Sequence, residues 1–308
     1  MSQRVVLIGG SGFLGREIRA RLVALGDSVD VVGRSRDQVH EGWRAVHWDG
    51  QTLGPWIDSL ADADVVVHLA GKRVDCRPTD ANLRELISSR EGTVRVVGAA
   101  LQEVGHQPAT WVQMSSLARY GDVPTGTVDE FSRLPLDGVP QQVEVCRRWE
   151  AAYRDVTASV ERPVLLRPGI AIGGDDDPAL AQMERLVRFG LAGTVAGGDQ
   201  WVSWIAAIDM FDIIMRAIKN STMRGEYCVT APEAVQNRDF MAAYRRAFGR
   251  RFGIPSAAPL VRLGAQLLGS DPSLILTGRA GVPTRLLAEG YEFRVTDIDE
   301  AIRLAIQA

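Results

Sequence analysis

The chain has 308 residues with 35 basic and 38 acidic side chains, a formal net charge of -3, and 46% apolar residues. That balance suits one large or two smaller domains with a sizeable core, and it lacks the positive excess of a nucleic-acid binder. Only Lys72 and Lys219 are lysines, so arginine carries the rest of the basic charge. Cys76, Cys146 and Cys228 are far apart and odd in number, which argues against a disulfide framework. The scattered histidines show no paired spacing for a metal. The N-terminus enters a strand-like run without a leader signal, and no apolar run reaches the roughly 18–20 residues that span a bilayer. These features read as a soluble, cytoplasmic chain with no membrane and no nucleic-acid partner.

Arg4–Ile8 is a β-branched run that ends in glycines and predicts a first strand. Residues 13–25 place Phe13, Leu14, Ile18, Leu22 and Leu25 toward one side, so a helix follows. Residues 28–32, 43–48 and 63–69 predict strands two to four. A long helix is expected over residues 80–104, a fifth strand over 110–115, a helix over 141–156 and a sixth strand over 163–167. Near-continuous apolar strands between helices imply an α/β fold, a doubly wound parallel sheet with helices on both faces. The character changes after Gly169. Residues 175–178 (DDDP) signal a turn and helix start, residues 193–198 a glycine-rich loop, and the chain beyond Asp239 reads as mostly helical between prolines. Residues 1–170 are thus expected to form one domain, with its sheet open to completion from about 200–230. Residues 171–308 form a smaller mixed, mostly helical lobe. A cleft between them, at the carboxyl ends of the strands, would take a small-molecule substrate.

Between the first strand and first helix lies Gly9-Gly10-Ser11-Gly12-Phe13-Leu14-Gly15, with the spacing G-x-x-G-x-x-G. There Gly9 permits a tight turn, Gly12 lets backbone approach a pyrophosphate, and Gly15 lets helix and sheet pack closely. The helix N-terminus adds free N–H groups for the phosphates, so Ser11, Phe13 and Leu14 join the candidate site. The second strand ends in Gly33-Arg34-Ser35-Arg36, without the carboxylate that favours NAD. Arg34 and Arg36 suit a 2′-phosphate and Ser35 can donate to it, which points to NADP(H); the alternative is a solvated arginine pair. Leu69, Ala70 and Gly71, closing the fourth strand, let backbone run under the cofactor. Asp49 either meets the adenine amine or is a solvated turn residue.

These motifs, with Ser115-Ser116 and Tyr120-Gly121 after strand five and Leu166-Arg167-Pro168-Gly169 after strand six, resemble the extended short-chain dehydrogenase/reductase superfamily. The match is closer to an atypical, epimerase-like branch of the NAD-dependent epimerase/dehydratase superfamily that has its own helical C-terminal extension. Residues 144–150 (EVCRRWE), 200–205 (QWVSWI), 230–232 (TAP), 237–240 (NRDF) and 283–293 (PTRLLAEGYEF) carry it. The resemblance covers essentially the whole chain. It implies a Rossmann domain that holds NADP(H), without implying a particular reaction.

Chemistry in the superfamily uses a tyrosine and a lysine one helical turn apart, at Y-x-x-x-K. This chain has no such pair: His68 stands four residues before Lys72, and Met215 four before Lys219. Alignment on Glu150 puts Gln142 at the tyrosine position and Cys146 at the lysine position. Ser115 and Ser116 remain as hydroxyls at the end of strand five. Cys146 is a possible acid/base if Arg147 and Arg148 depress its pKa; otherwise it is a small buried hydrophobe. Tyr120 and Lys72 read more readily as a packing aromatic and a solvated lysine. Trp201 and Trp204 line the cleft or fill the core, and Ala206 stands where the resemblance implies a histidine. Pro168 would shape a nicotinamide wall, and Arg167 is equally readable as a structural ion pair. The expectation is an NADP(H)-binding, epimerase-like oxidoreductase acting on a small organic substrate. The alternative is an NADP(H)-binding sensor or interaction protein without turnover. A sugar-nucleotide epimerase ranks lowest, because it relies on the absent tyrosine. A dimer through the helices at 80–104 and 141–156 stays open.

Overall fold

The computed structural model describes residues 2–173 and 178–307. In chain order the first half reads β1 (Arg4–Ile8), α1 (Phe13–Ala24), β2 (Ser28–Gly33), β3 (Gln38–His40), β4 (Trp43–His47), β5 (Val65–His68), α2 (Asp80–Ile87), α3 (Thr93–Val104), β6 (Thr110–Met114), β7 (Thr127–Val128), α4 (Val145–Val156) and β8 (Arg162–Pro168). Then come β9 (Ile170–Ile172), α5 (Pro178–Arg188), β10 (Trp201–Val202), β11 (Trp204–Ala206), α6 (Ala207–Lys219), β12 (Gly225–Val229), β13 (Val235–Gln236), α7 (Asn237–Ala247), α8 (Ala258–Leu268), α9 (Ser273–Leu276), β14 (Ala280–Gly281), α10 (Thr284–Ala288) and α11 (Ile298–Gln307).

The main sheet runs β12-β8-β6-β5-β1-β2-β4-β3, parallel throughout except where β3 pairs antiparallel with β4. Its central strands are β-branched runs sealed by helices on both faces, and Val5–Ile8 of β1 and Val65–Val67 of β5 are fully buried. From β1 the chain winds outward to β2 and β4, and then returns to β5 on the other side of β1. That reversal between β1 and β5 makes a crevice at their carboxyl ends, the place where folds of this kind take ligands.

Helices cover the sheet by their apolar faces. Ile18 and Leu22 of α1 turn inward, as do Cys146, Trp149, Glu150 and Tyr153 of α4. The helix expected over residues 80–104 is α2 and α3 joined by a π-helical turn at Ser88–Gly92, and a second π turn at Pro140–Glu144 opens α4. The edge strand β3 has no sequence signal, because all of it is exposed. β12 supplies the sheet's other edge from within the segment left open at 200–230. The turn signal at residues 175–177 lies outside the described residues.

A second core gathers Trp204, Phe240, Tyr244, Val295 and Ile302 beside the sheet. From there the chain folds back onto the segments that follow β5 and β6. Ser270 donates to Asp75 at 2.5 Å, Val123 N–H donates to the Gly278 carbonyl at 2.8 Å, and β14 pairs with β7. Among the described residues, no helix is long and apolar enough to cross a membrane.

Candidate cofactor and substrate cleft

The turn after β1 is shaped by what its glycines permit. Gly9 has φ +80°, and a Cβ there would stand 2.6 Å from the Ala70 backbone, so the turns after β1 and β5 touch only because it is glycine. A Cβ on Gly15 would lie 2.3 Å from the Gly10 carbonyl oxygen, which fixes the close seat of α1. Gly12 differs: a Cβ there meets nothing within 4 Å. The space over it is open to a ligand. α1 has no side-chain cap and no acidic residue in its first turn, so its leading N–H groups keep their capacity for an anion. Ser11 is exposed, and Phe13 and Leu14 are half-buried beside this opening.

At the end of β2, Arg34, Ser35 and Arg36 are exposed, and among the described residues neither arginine has an acidic partner. Asp37, next in the chain, forms no ion pair with either; its carboxylate accepts the His47 N–H at 2.6 Å. Asp49 is engaged in its own turn. Its carboxylate accepts from Thr52 N–H at 2.9 Å, Gln51 N–H at 2.7 Å and the Thr52 hydroxyl at 2.7 Å, and these bonds hold its pKa low. Leu69 N–H donates to the Ile8 carbonyl at 2.8 Å, which ties the ends of β5 and β1 together. Gly71 is exposed above the Arg90 guanidinium, which would stand 3.1 Å from its Cβ.

Past β6 the candidate catalytic residues fare differently. Ser115 is buried and donates to Glu150 at 2.8 Å, so its hydroxyl holds the structure. Ser116 is half-buried. Its oxygen accepts from Ala118 N–H at 3.1 Å, which leaves its proton available. Cys146 is buried, and Arg147 and Arg148, which an acid/base role would need beside it, pair instead with Glu144 and Glu91. Burial and then Glu150 push its thiol up to about 12, against the opposing pull of Arg90, Arg119 and Arg279, so no thiolate forms near neutrality. Tyr120 is also structural. Its hydroxyl donates to the Asp129 carbonyl at 2.6 Å and accepts from Arg167 at 3.1 Å, and burial raises its pKa.

Arg167 forms the structural ion pair. Fully buried, it grips both Glu150 oxygens at 2.8 Å and meets Glu226 at 2.6 Å. Glu150 also carries Arg154 at 3.1 Å and Arg119 at 3.9 Å, so one buried carboxylate anchors three arginines and a serine. Lys72 pairs with Glu85 and donates to Asn82 at 2.8 Å. Trp204 is core, whereas Trp201 is half-buried. Half-buried Pro168 ends β8, and a Cβ on the following Gly169 would stand 2.6 Å from the Ser203 carbonyl oxygen.

Gln142, at the tyrosine position, is bound by the C-terminal extension. Its amide donates to Ser273 at 3.1 Å and Thr277 at 3.2 Å, and its carbonyl accepts from Arg279 at 2.8 Å. Sequence reading missed Ser273, Thr277 and Arg279, which lie 131 to 137 residues away from Gln142 and share no motif with it. Among the described residues, no His, Cys, Asp and Glu cluster could hold a metal.

A switch-point crevice, an open glycine turn and a helix N-terminus together define a nucleotide-binding α/β protein. Residues 5–229 match the NAD dependent epimerase/dehydratase family, and residues 257–305 match a domain of unknown function, DUF1731. The chain belongs to the NAD dependent epimerase/dehydratase family, as an NAD(P)-binding protein of the atypical extended short-chain dehydrogenase/reductase kind. Human epimerase family protein SDR39U1 is 28% identical over 304 residues, 97% of this chain and 98% of that protein. Epimerase family protein YfhF of Bacillus subtilis is 28% identical over 299 residues, 97% of this chain and 96% of that one. The crystal structure of human SDR39U1 isoform 2 with NADPH superimposes with a TM-score of 0.82 at 26% identity, covering 99% of both chains.

Proposed function

We propose that this protein is an NADP(H)-dependent oxidoreductase acting on a small organic substrate, with residues 1–170 and β12 as the cofactor domain and residues 171–308 shaping the substrate cleft. The observation that carries the reading is the exposed, acid-free pair Arg34 and Arg36 at the end of β2, in line with the open turn over Gly12. The residues fit the cofactor. The α1 N–H groups and Gly12 would cradle the pyrophosphate, together with Gly9, Ser11, Phe13, Leu14 and Gly15. Arg34, Ser35 and Arg36 would hold the 2′-phosphate, and Leu69, Ala70 and Gly71 the ribose and diphosphate. Asp49, with its turn bonds already made, would lie at the adenine end, and Pro168 at the nicotinamide end. NADPH, with which human SDR39U1 was crystallised, is the cofactor favoured over NADH. When bound, it supplies a hydride from nicotinamide C4.

The chain's own residues then have to orient a substrate and meet developing charge without a tyrosine–lysine pair. Ser116 offers a hydroxyl proton, and Arg279 offers guanidinium N–H groups at the aligned tyrosine position, where it donates to Gln142. A second reading, an NADP(H)-binding sensor without turnover, is favoured by the commitments of Ser115 to Glu150 and of Gln142 to the extension. Single-turnover oxidation of prebound NADPH against a panel of small ketones and aldehydes decides between them. Cofactor oxidation with at least one carbonyl compound supports the enzyme. Tight NADPH binding with no oxidation by any member of the panel supports the sensor.

A further inference from the structure

Beside Gln142 stands an arginine, Arg279, that the nearby carboxylates do not pair. Glu150 is divided among Arg167, Arg154 and Arg119, and Glu226 between Arg167 and Arg154. Arg279 has no carboxylate within ion-pair distance among the described residues. Asp122 acts on it only from further away, with Oδ1 accepting the Gly278 N–H at 2.8 Å. Arg279 is half-buried, and its Nε is enclosed without an acceptor. Of the five N–H donors of a guanidinium, its side chain uses one, to Gln142 at 2.8 Å. Enclosed donors without acceptors cost free energy, more so on a charged group. The Arg279 charge also reaches Cys146, one helical turn beyond Gln142. Its bond to Gln142 sets it beside the position where alignment with the superfamily puts the tyrosine.

We propose that Arg279 anchors an oxyanion group of the substrate, a carboxylate or a phosphate, on its free donor edge beside Gln142. The planar fork of a guanidinium matches two oxygens of such a group, and a charge-assisted pair there gives Arg279 the anionic partner that the protein does not supply. This rests on the cofactor-cleft reading and narrows its substrate to a small anionic carbonyl compound or the matching alcohol.

The test uses the full chain, with and without saturating NADPH, titrated with acetate, succinate, inorganic phosphate and glycerol 3-phosphate. Acetamide and glycerol serve as neutral counterparts. Wild type is expected to bind the carboxylates or the phosphates saturably, about tenfold or more tighter than the neutral compounds, and the preferred arm identifies the oxyanion. Arg279→Ala should weaken this about tenfold and Arg279→Lys several-fold, with NADPH affinity held within about twofold. Wild-type indifference to all four anions overturns the proposal, whatever the variants do. So does undiminished anion binding by Arg279→Ala, or an equal loss of NADPH, which would assign Arg279 to the cofactor's phosphates. If Arg279→Ala does not fold, Arg279→Lys carries the comparison, because it keeps the charge and loses the fork. A wild-type chain that binds anions but not NADPH counts against the cofactor reading and leaves the Arg279 site standing.

Discussion

Replacing Glu150 by glutamine removes one negative charge from the most connected buried group in the protein. Glu150 is fully buried, and it accepts from Arg167 twice at 2.8 Å, from Ser115 at 2.8 Å and from Arg154 at 3.1 Å. Breaking a buried ion pair by removing one partner costs about 3–5 kcal/mol, because it strands the other charge. Glu226 lies 2.6 Å from Arg167 and still serves it, which puts Glu150→Gln near the low end, about 3 kcal/mol. At roughly 2 °C per kcal/mol in a chain this long, the melting temperature should fall by about 6 °C. Denaturant unfolding followed by tryptophan fluorescence measures it directly. A double variant with Arg167→Met should recover part of the loss, since the stranded charge goes too. A Glu150→Gln loss under about 1 kcal/mol would refute the view that this carboxylate anchors the arginines.

Three further outcomes follow from the geometry. Gly12→Ala should melt with the wild type, because its Cβ meets nothing within 4 Å, yet lose NADPH affinity. Gly15→Ala, with a Cβ 2.3 Å from the Gly10 oxygen, should lose about 1–3 kcal/mol of stability; equal behaviour of the pair would sink the assignment of roles. Arg34→Ala should weaken NADPH about tenfold, equivalent to about 1.4 kcal/mol, and leave NADH unchanged. An unchanged NADPH/NADH ratio in a fluorescence titration would contradict it. Burial drives the His68 pKa down from 6.5 to about 3, so the folded chain keeps it neutral while the unfolded chain takes up a proton below 6.5. Stability from this group is therefore lost as pH falls below 6.5, by up to about 1.4 kcal/mol per pH unit. Unfolding of His68→Gln between pH 7 and 5 should show a shallower decline, and parallel curves would exclude the effect.

What the sequence disclosed tracks what is local. β1, β5 and β6 are legible as apolar runs, and the crevice turn as glycines at every third position, 9, 12 and 15. β3 is illegible, since every residue of it is exposed and nothing in its pattern needs burial. The fate of Cys146 depends on burial and on charges from Arg90, Glu150 and Arg279, which come together only in the folded chain. The sequence leaves Arg167 readable either way, because its partners Glu150 and Glu226 lie 17 and 59 residues off and meet it only in the fold. The grip of Ser273, Thr277 and Arg279 on Gln142 has no sequence signal, because it joins segments more than 130 residues apart through single side chains.

The most direct test of the proposed cofactor site is the equilibrium affinity of the wild-type chain for NADPH and for NADH, measured by the fluorescence of the bound dinucleotide. The arginine pair at the end of β2 predicts NADPH the tighter by about tenfold or more. Equal affinities, or tighter NADH, would contradict it.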